Sequence, residues 1–212
     1  MHSSFSGDSR APMQDMAARA IALGYQEICF TEHMDLHYPA SKECPEDMFL
    51  LNTDSYLYDL LRAREKFGEQ INIKFGVELG LQPDYLKEIS DYARSYDFDF
   101  IIGSTHVVQH PAFPSYYEGS STEEGYRAYF NEILTSIRSF TNFDIYGHID
   151  YVIRYSKTKD LNYCYGQYAD IFDPIIETLI ANGKGIEINT GGYKAGLSEP
   201  NPCHDVLRRY KE

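Results

Sequence analysis

A chain of 212 residues with 43% hydrophobic content can bury one substantial core and reads as a single domain spanning residues 1–212. Its formal net charge of −13 excludes a general nucleic-acid or anionic-membrane surface; an anionic substrate would need local cations to reverse that field. The cysteines at 29, 44, 164 and 203 form no C-x-x-C, which excludes zinc-ribbon and thioredoxin-type motifs and agrees with a reducing cytoplasm. No apolar run and no N-terminal pattern suggests export or a membrane span.

Residues 1–10 are polar and turn-prone, and open on His2. Residues 12–23 predict a helix, with Met13, Met16, Ala17, Ala20 and Leu23 on one face, Pro12 in its first turn and Gly24 at its end. The apolar run 28–31 predicts a strand that leads into Glu32 and His33. Residues 35–52, with Pro39 and Pro45, form a long connection of a length that is usually functional or disordered. Thr53 or Asp54 is expected to cap a helix that runs through Phe67 and stops at Gly68. A strand over 73–77 leads into Glu78, and Pro83 opens a short helix to about residue 94.

The run 98–102, closed by Gly103-Ser104-Thr105, is a strand leading into His106. After a loop with His110, Pro111 and Pro114, the capping box Ser121-Thr122-Glu123-Glu124 opens a helix to about Phe140. Strand 143–146 leads to His148, a helix covers 167–181, strand 185–188 leads to Asn189, and residues 202–212 form an amphipathic helix. This alternation predicts an α/β fold with a parallel sheet and crossover helices. In a parallel barrel the downstream strand ends meet on one face, where loops build the site. The opening helix calls for a strand before it, and the closing helix for one after it.

Neutral imidazoles and carboxylates are ligands for zinc, manganese and iron. The candidates are His2, Asp8, His33, Glu78, His106 and His148. Any one of these histidines alone reads more readily as a hydrogen-bonded loop or core residue than as a ligand. Of seven histidines, however, three stand just past an apolar strand and a fourth opens the chain, a joint placement that favours metal. A carboxylate buried at Glu78 needs a cation, which could instead be a Lys or Arg across the fold. His37, His110 and His204 have no strand before them and are read as loop residues.

The segments His2-Ser3-Ser4-Phe5-Ser6-Gly7-Asp8-Ser9, Phe30-Thr31-Glu32-His33, Gly76-Val77-Glu78, Gly103-Ser104-Thr105-His106, Gly147-His148-Ile149-Asp150-Tyr151 and Asn189-Thr190-Gly191-Gly192 occur in this order along nearly the whole chain. Together they resemble the histidinol-phosphate phosphatases of the PHP (polymerase and histidinol phosphatase) superfamily. The resemblance implies a distorted TIM-like (β/α)7 barrel with up to three divalent ions, zinc, manganese or iron. By motif, His2 would serve the first metal and Glu78 would bridge the first and second. His106 and His148 would hold the second, and Asp8 and His33 the third. The family's first histidine of the His-x-His pair would fall before Met1, and its late Gly-Ser-Asp-x-His segment after Glu212. The expectation is therefore a barrel short of its first and last strands.

The chemistry implied is metal-assisted hydrolysis of a phosphomonoester, in which a hydroxide available near neutral pH attacks phosphorus in line. Glu78, His106 and Asp150 are the candidate catalytic residues, with Asp150 orienting His148. Arg154 and Lys194 follow the family's phosphate-binding positions; without the resemblance, Arg154 reads equally as half of a surface ion pair. Tyr116, Tyr117 and Tyr193 are candidates for a pocket wall or for plain packing. The expected reaction is L-histidinol phosphate to L-histidinol and phosphate, with a small phosphorylated substrate and no nucleic-acid or membrane partner. The alternatives are another PHP phosphoesterase acting on nucleotides or small phosphate esters, and a truncated metal-binding remnant without turnover.

Overall fold

Apolar strand runs separated by amphipathic helices fold here into an α/β structure, a computed structural model that describes residues 1–41, 44–108, 123–161 and 163–212. In chain order the elements begin with α1 (Met13–Ala22), β1 (Glu27–Met34), α2 (Thr53–Phe67), β2 (Asn72–Gly80), α3 (Leu86–Ala93) and β3 (Phe100–Ser104). They continue with α4 (Glu123–Ser139), β4 (Ile145–Tyr146), α5 (Ala169–Ala181), β5 (Gly185–Ile186), α6 (Gly191–Lys194) and α7 (His204–Lys211). The strands form one five-stranded sheet in the order β1-β2-β3-β4-β5, as the five apolar runs lead one to expect. Among the described residues no helix is long and apolar enough to cross a membrane.

The chain divides into two compact units, one of residues 1–80 and 91–102, the other of residues 81–90 and 103–212. In the first, β1 and β2 pair in parallel over their whole length, with Phe30 opposite Phe75 and His33 opposite Glu78. Tyr56, Leu60 and Ala63 recur at helical spacing on α2 and are fully buried with Phe30, Ile73 and Val77. Each large apolar side chain so buried contributes about 1.5–3 kcal/mol. The Tyr56 hydroxyl reaches down to the sheet, 3.0 Å from both the Phe30 and the Gly76 carbonyl oxygens.

Two expectations are corrected here. Glu32, His33 and Glu78 do not follow their strands but lie inside them, because backbone pairing carries β1 to Met34 and β2 to Gly80. Neither Thr53 nor Asp54 caps α2: Asn52 is the N-cap, and its Oδ1 accepts from the Ser55 N–H at 3.0 Å.

In the second unit, α4 and α5 supply the core. Phe130, Ile133 and Ile137 face Phe172, Ile175 and Ile176, all buried, and the Phe130 and Phe172 rings lie 4.5 Å apart. Strands β4 and β5 pair in parallel over only two residues each, Ile145 with Gly185 and Tyr146 with Ile186. A short 3-10 turn over Tyr151–Tyr155 follows His148. The expected capping residues Ser121 and Thr122, with His110, Tyr116 and Tyr117, lie outside the described residues. His204 is not in a loop; it begins α7 and its Nδ1 lies 3.0 Å from Glu199.

Candidate functional site

Side chains on a strand alternate between faces, so Glu32 and His33 point in opposite directions from β1. Glu32 is fully buried, and its carboxylate accepts from the Ser3 N–H at 2.9 Å and from the Ser6 hydroxyl at 2.6 Å. The Ser6 hydroxyl oxygen in turn accepts from the His33 N–H at 3.0 Å. This buried carboxylate thus ties the opening segment to β1 and sets His2 and Asp8 beside His33.

On the other face the expected ligands of the first unit converge. His2 Nε2 stands 3.3 Å from Glu78 Oε2, and His33 Nε2 stands 3.6 Å from Asp8 Oδ2. The two imidazoles stack with centroids 4.3 Å apart, and Phe49 meets His33 edge-on at 5.4 Å. One donor atom each from His2, His33 and Glu78 fall within 4.8 Å of one another, a grouping that can hold a metal ion. Asp35, which the sequence reading passed over, is 2% exposed and lies 3.4 Å from His33 Nδ1. Its carboxylate packs on Gly80, where any Cβ would fall 2.0 Å from Asp35 Oδ1, so a residue with a side chain there would displace it.

The electrostatics fit a cation. Burial lowers the pKa of His2 to about 4, so its ring stays neutral with a lone pair to offer. Burial also acts to lower His33, but Glu78, Asp35 and Asp8 outweigh it and hold His33 well above its ordinary value. Three carboxylates around one imidazole are a surplus of negative charge. His2 Nδ1 is buried without a hydrogen-bond partner among the described residues. An ion coordinated by these donors would relieve that surplus, and the His/Glu/Asp donor set suits zinc, manganese or iron.

The second unit brings together the other two expected histidines. His106 follows β3 and His148 follows β4, both buried, with their Nε2 atoms 3.3 Å apart. The His148 N–H donates to Glu187 Oε2 at 3.0 Å, which fixes the start of the turn that carries the ring. Asp150 is buried, and burial raises its pKa against the hydrogen bonds it accepts. Its Oδ1 accepts from Asn201 Nδ2 at 2.6 Å and its Oδ2 from the Cys203 N–H at 2.9 Å. Arg154 lies over the Tyr151 ring, 4.8 Å from its centroid. Among the described residues it is not half of a surface ion pair: its Nε donates to Asn201 Oδ1 at 2.7 Å and its Nη2 to Asn189 Oδ1 at 2.9 Å. Lys194 is exposed on α6, next to the half-exposed Tyr193.

The sequence profile of the PHP domain matches residues 1–191. This chain belongs to the PHP domain family. The PHP chain is 33% identical over 192 residues to the histidinol-phosphatase of Lactococcus lactis, across 89% of this chain and 69% of that protein. A crystal structure of histidinol phosphate phosphatase from Lactococcus lactis, complexed with zinc, L-histidinol and phosphate, matches with a TM-score of 0.83 and 30% identity. That match covers all of this PHP chain and 79% of the other.

Proposed function

We propose that this PHP chain is a metal-dependent phosphomonoesterase that hydrolyses L-histidinol phosphate to L-histidinol and phosphate. The observation that carries the reading is the solved Lactococcus lactis relative, which holds zinc, L-histidinol and phosphate and shares the fold of this chain over its full length. The donor chemistry supports it: His2, Asp8, His33 and Glu78 in one unit and His106 and His148 in the other are the residues that would hold up to three divalent ions. Ions bound there supply charge neutralisation at the phosphoryl oxygens and a water made acidic enough to attack near neutral pH.

The chain's own groups do the rest. The neutral ring of His2 presents a lone pair beside the Glu78 carboxylate, 3.3 Å away. Glu78, buried on β2, would hold cationic charge that a phosphate dianion needs in a protein of net charge −13. Arg154 offers the guanidinium edge left by Asn189 and Asn201 to phosphate oxygens, with Lys194 as a second positive charge. In the reaction a water oxygen bonds to phosphorus, the P–O ester bond breaks, and the alcohol leaves with a proton.

The test is phosphate release from L-histidinol phosphate beside a panel of nucleoside monophosphates, with zinc and again with a chelator. The expected result is turnover of L-histidinol phosphate that is lost to the chelator and restored by zinc. Equal or better turnover of the nucleotides would assign a different phosphoesterase, and no turnover of any ester would end the proposal.

A further inference from the structure

Both hydrogen-bonding arms of Arg154 end on asparagines, and each asparagine is held from behind by a carboxylate. Asn201 donates through Nδ2 to Asp150 Oδ1 at 2.6 Å and accepts from Arg154 Nε at 2.7 Å. Asn189 donates through Nδ2 to Glu187 Oε2 at 3.1 Å and accepts from Arg154 Nη2 at 2.9 Å. A carboxylate can only accept and a guanidinium can only donate, so neither amide can turn over without losing both bonds. The two asparagines are also paired through their backbones: Asn189 N donates to Asn201 O at 2.8 Å and Asn201 N to Asn189 O at 2.9 Å. The Gly191 N–H adds a second bond to Asn189 Oδ1 at 2.8 Å. A Cβ on Gly191 would fall 3.0 Å from Arg154 Nη2 and 2.7 Å from Asn189 Oδ1, so the guanidinium is seated against bare backbone.

We propose that Asn189 and Asn201 are positioning residues that aim Arg154 at the substrate's phosphate while keeping its charge available. A carboxylate placed directly on the guanidinium would orient it equally well, but would cancel much of the charge a phosphate must meet. An amide between the two passes on the orientation and leaves the cation largely uncompensated. Asp150 and Glu187 therefore act on Arg154 one residue removed, and the edge of the guanidinium away from Asn189 and Asn201 is the one offered to phosphate.

This inference rests on the phosphatase reading for its activity readout. The experiment uses zinc-loaded protein and measures KM for L-histidinol phosphate and the inhibition constant of inorganic phosphate. Asn189→Ala and Asn201→Ala are each expected to raise both constants by about tenfold, the scale of one hydrogen bond to a charged group, with kcat within about twofold. Neither is expected to raise them further in an Arg154→Ala background. Asn189→Asp, which keeps the acceptor for Arg154 but adds a charge and can no longer donate to Glu187, is expected not to restore wild-type affinity. Unchanged constants, a full additional loss in the Arg154→Ala background, or rescue by Asn189→Asp would each overturn the proposal.

If the wild type turns over no phosphate ester, the phosphatase reading fails on its own, and hydrogen exchange of the Arg154 Nε–H reports on the arm directly. Exchange at least about tenfold faster in Asn201→Ala supports the arm, and unchanged exchange removes it. Asn189 is only half-buried, so Asn189→Ala carries the affinity test if Asn201→Ala does not fold.

Discussion

Around His33, Asp8 and Asp35 stand 3.6 and 3.4 Å from the ring nitrogens, and Glu78 adds its charge from the neighbouring strand. Around Arg154, the carboxylates of Asp150 and Glu187 are kept one amide away by Asn201 and Asn189. The same residue types are thus used to opposite ends. The first region gathers more negative charge than its imidazoles can balance and suits a divalent cation. The second holds a cation in place with neutral acceptors and suits an anion. A hydrolase acting on a phosphate ester with the help of metal needs both kinds of place.

The change that should break this comparison most severely is Glu78→Gln, which keeps the shape of the side chain and removes its charge. The expected loss in kcat is about a thousandfold, the scale of losing metal-assisted charge stabilisation. Steady-state kinetics at saturating zinc measure it, and near-wild-type turnover would remove Glu78 from the metal region.

Glu32 sharpens the contrast within one strand. It is a buried carboxylate next to His33 in sequence, yet it is satisfied by the neutral donors of Ser3 and Ser6. Glu32→Ala should cost about 2–3 kcal/mol of stability in urea unfolding, because buried donors lose their acceptor. A loss below about 0.5 kcal/mol would show that the opening segment is not anchored there.

On the anion side, Arg154→Ala should raise KM for L-histidinol phosphate by about ten- to a hundredfold and change kcat much less. A fall in kcat at constant KM would instead place Arg154 among groups that act only in the transition state.

The smallest effect concerns a carboxylate that belongs to neither cluster. Burial acts to raise Asp99, but the Phe75 N–H at 2.8 Å and the Arg64 guanidinium at 2.7 Å outweigh it and lower its pKa. A carboxyl with a lowered folded-state pKa stabilises the fold above its unfolded value, near 3.9, and loses that contribution as pH falls through its folded value. Asp99→Asn should therefore flatten the acid limb of the stability curve below about pH 4, by less than about 1 kcal/mol at so exposed a position. An acid limb identical to wild type would show that Asp99 contributes no pH-dependent stability.

The strands and helices were legible in the sequence because apolar runs and helical spacing record which faces are buried. The ends of β1 and β2 were not. Hydrophobicity stops at Thr31 and Val77, but backbone pairing carries the strands on through His33 and Glu78, and only the register shows it. The α2 cap was misplaced by one or two residues because Asn52, Thr53 and Asp54 are all capable acceptors; only the backbone decides which stands at the boundary. In the candidate site, residues just past apolar runs were readable as a pattern. The roles of Asp35, Glu187 and Asn201 were not, because they depend on packing and on partners distant in sequence; Asn201 meets Arg154 across 47 positions.

Metal content is the measurement that tests the central claim most directly. Wild-type protein loaded with zinc, dialysed and assayed by mass spectrometry should retain at least about one zinc per chain, as expected for a structured donor set. The Glu78→Gln protein, prepared identically, should retain clearly less. Wild-type protein that emerges without zinc, or a variant that keeps as much as wild type, would contradict the reading of the His2, His33 and Glu78 cluster as a cation site.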